Sequence, residues 1–182
     1  MELMEAIKGR RSIRKYRPDP VPIELVKKVL EAGTWAPSAK NGQQWRFTVL
    51  TGESKKRFND MFYEELERFM SKFGKEEAGS APWTLEIQRQ APVLIIVWNA
   101  GEYGWVTEEH SVAAAMQNIL LRAYDLGLAS LWIGDVFYAD EAIVKYFNKE
   151  WKLSGAIALG YSDDKGRIPP RKPVDEVAEF LE

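Results

Sequence analysis

The segment Val93-Leu94-Ile95-Ile96-Val97-Trp98 is apolar at every position, so it does not show the alternation of a strand with one wet face. It reads as the central strand of a sheet. Ser130–Ile133 and Gly155–Leu159 read as two further buried strands, and 46–50 as another that turns at Thr51-Gly52. Helical spacing accounts for most of the remainder. Leu3, Met4 and Ile7 form a first stripe, with Gly9 expected in the left-handed position that stops a helix. Pro22 is expected as the first residue of a helix carrying Ile23, Val26, Val29 and Leu30, closed by Gly33. From Ser54 to about Gly74, Phe58, Phe62, Leu66, Phe69 and Phe73 recur at three- and four-residue steps, the pattern of an amphipathic helix. Gly79-Ser80-Ala81-Pro82 breaks it, and 88–91 leads into the central strand. Val112, Ala115, Met116, Ile119, Leu120 and Ala123 mark a long buried helix over 108–126 that ends at Gly127. Its small residues, Ala113 to Ala115, favour close approach of another helix or subunit. Asp140–Phe147 reads as a surface helix. The organisation expected is one domain over 1–182 with a helical excursion at about 54–90. The tail past Pro173, with Val174, Val177 and Phe180, is expected to dock.

Composition narrows the chemistry. The 182 residues carry 25 Lys and Arg against 27 Asp and Glu, a net charge of −2, so no global field favours nucleic acid or a membrane surface. Absence of cysteine removes disulfides, thiolate metal sites and thiol catalysis, and one histidine, His110, leaves no metal site in view. His110 reads as a surface or capping residue near a helix start. No apolar run has the length of a membrane span or the form of a signal peptide, and the cytoplasm is the expected location. With 7 Trp, ring surface exceeds what one small core needs, which suits an interface or a planar ligand.

Three polar segments stand out against this background. Arg10-Arg11-Ser12-Ile13-Arg14, placed in a turn past the first helix, puts three guanidinium forks and a hydroxyl within five residues, donors suited to a phosphate. The loop Ala36-Pro37-Ser38-Ala39-Lys40-Asn41-Gly42-Gln43-Gln44-Trp45 offers a hydroxyl and several amides, which match the donor and acceptor edge of a heterocycle. Pro170-Arg171-Lys172-Pro173 returns basic charge near the end. Read blandly, the first is a solvated basic turn and the second a capping turn. Gly101-Glu102-Tyr103-Gly104 lacks the third glycine, and the following helix, of a dinucleotide fingerprint. No carboxylate pair or catalytic triad is evident.

In this order along the chain, the segments resemble the flavin-dependent nitroreductase family, with its Arg-Arg-Ser-x-Arg start and its Ala-Pro-Ser-x-x-Asn-x-Gln-Pro-Trp loop. The likeness continues through 115–121, 126–134 and Gly160-Tyr161. Gln44 stands where the family usually has proline, and is expected to loosen the loop a little. The resemblance implies an α+β, three-layer fold: a central mixed, mainly antiparallel sheet flanked by helices. It implies a homodimer with two FMN sites at the interface and no bound metal. Arg10, Ser12 and Arg171 would hold the phosphate and ribityl chain, Arg11 would share the phosphate, and Lys165 or Arg167 are alternative partners there. Arg14 would reach the pyrimidine end, where a fixed cation favours the anionic reduced flavin. Pro37, Ser38, Ala39, Asn41 and Gln43 would contact the ring, some from the partner subunit, and the backbone of Ile133 and Gly134 would face N5 and O4. The implied reaction is ping-pong: NADH or NADPH gives a hydride to the flavin, which then reduces a nitroaromatic, quinone or other flat acceptor. Alternatives are reductive dehalogenation with 58–83 as a lid, or a non-enzymatic flavin-binding or basic-patch protein.

Overall fold

The computed structural model describes residues 1–181. Its elements run α1 (Leu3–Gly9), α2 (Ile23–Thr34), β1 (Trp45–Thr51), α3 (Gly52–Phe73), α4 (Ala81–Gln90), β2 (Val93–Asn99), α5 (Val106–Asp125), β3 (Ala129–Ile133), α6 (Asp140–Tyr146) and β4 (Lys152–Gly160). The strands form one sheet in the order β1-β2-β4-β3, antiparallel throughout. A single parallel bridge, Ser12 to Ser130, adds the arginine segment at the β3 edge.

β2 is central and fully buried, as its uninterrupted apolar run requires. Its alternation assigns the two faces. Val93, Ile95 and Val97 pack with Val26 and Val29 of α2 and with Val112, Met116 and Ile119 of α5. Leu94, Ile96 and Trp98 pack with Phe58 and Phe62 of α3, Leu85 and Ile87 of α4 and Ile143 of α6. Three layers result, as expected. Between Val97 and Trp98 the register to β4 slips, and Gly155 takes φ 135° there; a side chain at that point would press on Ile133 O at 3.2 Å.

Several local expectations need correction. Gly9 does not stop α1 in a left-handed turn; it is helical, and its missing side chain lets α1 pass so close to α5 that a Cβ would meet the Tyr124 hydroxyl at 2.1 Å. Gly33 likewise lies inside α2, where a Cβ would meet Ile119 at 2.9 Å; the helix ends one residue later. Both are close-approach glycines. Gly127 is the left-handed stop expected, at φ 73°, with Leu128 N–H donating to Ala123 O at 2.8 Å and Gly127 N–H to Tyr124 O at 3.0 Å. Pro22 caps α2 and precedes its first residue. Thr51-Gly52 is no hairpin turn, since β1 runs straight into α3, with Ser54 Oγ accepting the Thr51 N–H at 3.2 Å. The stretch after Gly79 holds a helix, α4, with Pro82 in its first turn. β3 is an edge strand with Trp132 exposed. The tail side chains Val174, Val177 and Phe180 remain exposed on this chain.

Candidate functional site

The arginine segment is extended, not turned. Ile13 N–H donates to Ser130 O at 3.0 Å, Arg17 N–H to Tyr161 O at 2.9 Å, and the Tyr16 hydroxyl lies 3.1 Å from Ile13 O and 3.3 Å from Ala158 O. Burial raises the Tyr16 pKa, so the phenol stays a neutral donor. Because β3 is an edge strand, its free carbonyl recruits the chain and Ile13 plugs into the core while the arginines flank it.

Arg10 and Arg14 face different cavities. One, about 390 Å³, is lined by Arg10, Arg11, Ser130, Ser162 and Lys165 among others. The other, about 400 Å³, includes Ser12, Arg14, Trp83, Gln90 and Arg167. Burial pulls the Arg10 pKa below its ordinary value, and the like charges of Arg11 and Arg171 act the same way. Arg10 Nε and Arg11 Nε are buried without a hydrogen-bond partner. Crowded, partly desolvated guanidinium groups with spare donors are what an incoming dianion relieves. The tail that brings Arg171 here crosses at Gly166, φ 68°, where a Cβ would meet Arg11 Cβ at 2.8 Å. Arg171 itself is exposed and donates to Pro170 O at 3.1 Å. Of the alternative partners, Lys165 shares the Arg10 cavity and Arg167 the Arg14 cavity.

Around Arg14 the site is built by α4. The guanidinium lies 5.5 Å from the Trp83 ring centroid and donates to Ser12 O at 3.2 Å. Two ties fix α4. At its start Ser80 Oγ donates to Asp135 Oδ2 at 2.8 Å, and Thr84 Oγ1 donates to the same oxygen. At its end the buried Lys55 ammonium donates to Gln88 O at 3.0 Å, Arg89 O at 2.8 Å and Ala91 O. Burial lowers the Lys55 pKa. Ile133 is buried at the end of β3, and Gly134, next to Asp135, is exposed with no atom within 4 Å of where a Cβ would stand. Trp83, Lys55 and Asp135 were not foreseen from the sequence. Ser80 and Thr84 at the start of α4 were the signal available: each hydroxyl can donate as well as accept, and with no cap bond made by Ser80 both are free to donate to a carboxylate.

The polar loop lies elsewhere. Ser130 pairs with Leu159, Leu159 with Val93 and Val93 with Thr51, whereas the loop enters β1 at Trp45. Ser12 bridges Ser130 one strand further out, so strand spacings put the loop about 19 Å across the sheet and about 20 Å along it from Ser12. One chain therefore brings Arg10, Arg11, Ser12, Arg14, Ile133, Gly134 and Arg171 to one edge, and Pro37, Ser38, Ala39, Asn41 and Gln43 to the other. Within the loop Ala39 N–H donates to Ser111 Oγ at 3.0 Å and Gln43 N–H to Ser38 Oγ at 3.1 Å. Gln44 does not loosen it: the side chain is buried and its Nε2 braces Ala39 O at 3.2 Å. A helix does follow 101–104, contrary to expectation, but the buried Glu108 carboxylate occupies its start, accepting Tyr103 N–H at 3.2 Å and Trp105 N–H at 3.1 Å. No anion site is left there. His110 is exposed in the first turns of α5. Among the described residues no group of three or more acidic, His or Cys side chains is placed to hold a metal, and no helix is long and apolar enough to cross a membrane.

The chain is similar to several known proteins over most of its length. The chain is 28% identical over 187 residues to an NADH dehydrogenase of Thermus thermophilus, covering 92% of this chain and 90% of that one. It is 25% identical over 183 residues to an iodotyrosine deiodinase of Thermotoga neapolitana, covering 96% and 95%. A nitroreductase with bound FMN from Bacteroides fragilis superposes with a TM-score of 0.79 at 26% identity, covering 100% of each chain. The model of the nitroreductase family matches residues 7–161, from α1 through the end of β4. That span includes both polar edges of the sheet and the strands that separate them, and on it the chain belongs to the nitroreductase family.

Proposed function

We propose that this protein is an FMN-dependent oxidoreductase that takes a hydride from NADH or NADPH and passes it to a nitroaromatic, quinone or similar flat acceptor. It works as a cytoplasmic homodimer, the 182 residues acting as one domain. The observation that carries the reading is the cluster of Arg10, Arg11 and Arg171, whose mutual repulsion and two orphaned Nε donors fit a phosphate dianion. The similarity to an FMN-bound nitroreductase supplies the rest of the ligand. Bound FMN would supply the two-electron, hydride-transferring chemistry.

The chain's own residues then bind and orient. Arg10, Arg11, Arg171 and Lys165 hold the phosphate end, and Ser12 the ribityl chain. Arg14, backed by Trp83, presents its charge to the pyrimidine end, where negative charge accumulates on reduction. The backbone of Ile133 and Gly134 faces the reacting edge, and the open space at Gly134 admits a flat group. The partner subunit supplies Pro37, Ser38, Ala39, Asn41 and Gln43, because in a single chain these lie across the sheet from Arg10. No side chain is assigned as acid, base or nucleophile.

Purified protein should carry or bind FMN; NADH or NADPH should reduce that flavin once by itself and turn over repeatedly only when an acceptor is present. Bound flavin without turnover would leave a flavin-binding protein, and failure to bind FMN would overturn the reading. A second reading, reductive dehalogenation with α3 and α4 closing over the site, is favoured by the similarity to a deiodinase over nearly the whole chain. Anaerobic reoxidation of the reduced protein by a halotyrosine but by neither a quinone nor a nitroaromatic would select it.

A further inference from the structure

Lys40, Asn41 and Gln43 all have left-handed backbones, at φ 52°, 53° and 46°, in a loop where none of the three is glycine. Such conformations persist where surrounding contacts over-determine them. Ser111 holds Ala39, Ser38 holds Gln43, and Gln44 braces Ala39 from behind. Asn41 N–H is tied only to Ser38 O, at 2.9 Å, inside the turn itself. Arg46 also donates to Gln43 O at 2.8 Å, and a further restraint, on Lys40, comes from outside the loop. The Lys40 ammonium lies 4.6 Å from the Trp105 ring centroid and 5.8 Å from that of Tyr103, and the two rings stack at 4.5 Å with an interplanar angle of 18°. That platform is fixed in turn, since Glu108, 1% exposed, accepts both the Tyr103 and the Trp105 N–H.

We propose that Lys40 is a positioning residue for the Ser38–Gln43 loop: clamped over the Tyr103–Trp105 pair, it keeps the left-handed turn in the shape that offers Asn41 and Gln43 to the flavin. The inference rests on the reading above for its ligand, and on the geometry of this chain for the clamp. α5 then holds the loop at two points, through Ser111 to Ala39 and through Glu108 and the ring pair to Lys40. The charge of Lys40 is used against the rings, not against the flavin. Any long cation serves the clamp, and an uncharged side chain of the same length does not.

The test compares Lys40→Met, Lys40→Arg, Trp105→Leu and the double variant Lys40→Met with Trp105→Leu. Amide exchange at Gly42 and Gln43 is read without FMN, and FMN affinity by titration. An exposed cation–π contact predicts that Lys40→Met speeds loop exchange and weakens FMN binding by roughly two- to fivefold. Lys40→Arg should stay near the wild-type values, Trp105→Leu should match Lys40→Met, and the double variant should add nothing further. Unchanged exchange and affinity in Lys40→Met, or additive losses in the double variant, would overturn the clamp. Wild-type protein that binds no FMN overturns the cofactor reading and, with it, the purpose given to the clamp, whatever the exchange rates show.

Discussion

Arg10 and Arg14 carry the same charge in different surroundings, and this sets what each substitution does. Arg10 is half-buried among Arg11 and Arg171, whereas Arg14 is exposed against Trp83 in the neighbouring cavity. Arg10→Ala removes a contact to a phosphate that keeps its charge in both redox states, so FMN affinity should fall with little change in potential. Arg14→Met removes the cation beside the charge that appears on reduction. A differential loss of about 1.4 kcal/mol lowers the two-electron potential by about 30 mV, and dye equilibration of the two variants measures it. Equal shifts would reject the division of roles. Arg171→Ala should weaken FMN binding roughly ten- to a hundredfold, the loss of one charge-assisted hydrogen bond. An unchanged titration would pass that role to Lys165, which lines the Arg10 cavity, and not to Arg167, which lines the other. At this scale the arginines were legible because a cluster of guanidinium groups in a slightly acidic chain has few uses. Glu108 was not, because a buried carboxylate satisfied by two backbone N–H groups looks in sequence like any acidic residue in a helix's first turn.

Among the elements, α4 links packing to the site. Its outer face puts Trp83 beside Arg14, its start is tied to Asp135 beside Gly134, and its last carbonyls are gathered by Lys55. Lys55→Met would keep the aliphatic stem and leave those carbonyls without their donor. Leaving buried acceptors unsatisfied costs about 1–3 kcal/mol. Urea unfolding should therefore show a lower midpoint at unchanged slope, while the flavin potential stays at the wild-type value; a stability within error of wild type would show that water replaces the ammonium. The long periodic elements were legible from spacing alone: the stripe from Phe58 to Leu66 and that from Val112 to Ala123 face the core. α4 was not, because ten residues opened by Gly-Ser-Ala-Pro and divided between core and solvent give only a weak period. The glycines misled for a related reason. Gly9 and Gly33 are present because another helix passes close by, a tertiary cause with no local sign, and of these three glycines Gly127 is the one that marks a left-handed end.

For the whole molecule, the sheet order decides what one chain can do alone. The order β1-β2-β4-β3 separates the arginine edge from the polar loop within one chain, and the proposed site brings the two together only across a dimer. The surface agrees in kind. Leu3, Met4 and Ile7 of α1, Trp35 after α2 and Val174, Val177 and Phe180 of the tail are exposed large apolar side chains, the material of an obligate interface. The order of the strands was not legible in the chain, since the strand segments do not state their neighbours, and the family resemblance implied only a mixed, mainly antiparallel sheet. The most direct measurement is subunit complementation. Arg10→Ala and a loop variant, Asn41→Ala with Gln43→Ala, should each bind FMN weakly as homodimers. Unfolded together and refolded, they form mixed dimers in which one site has both defects and the other has neither. Random pairing of equal amounts then predicts that about a quarter of all sites regain wild-type FMN affinity. Titration that shows no tight sites in the refolded mixture, with mixed dimers demonstrated by mass, would place both halves of the site within one chain and contradict the account.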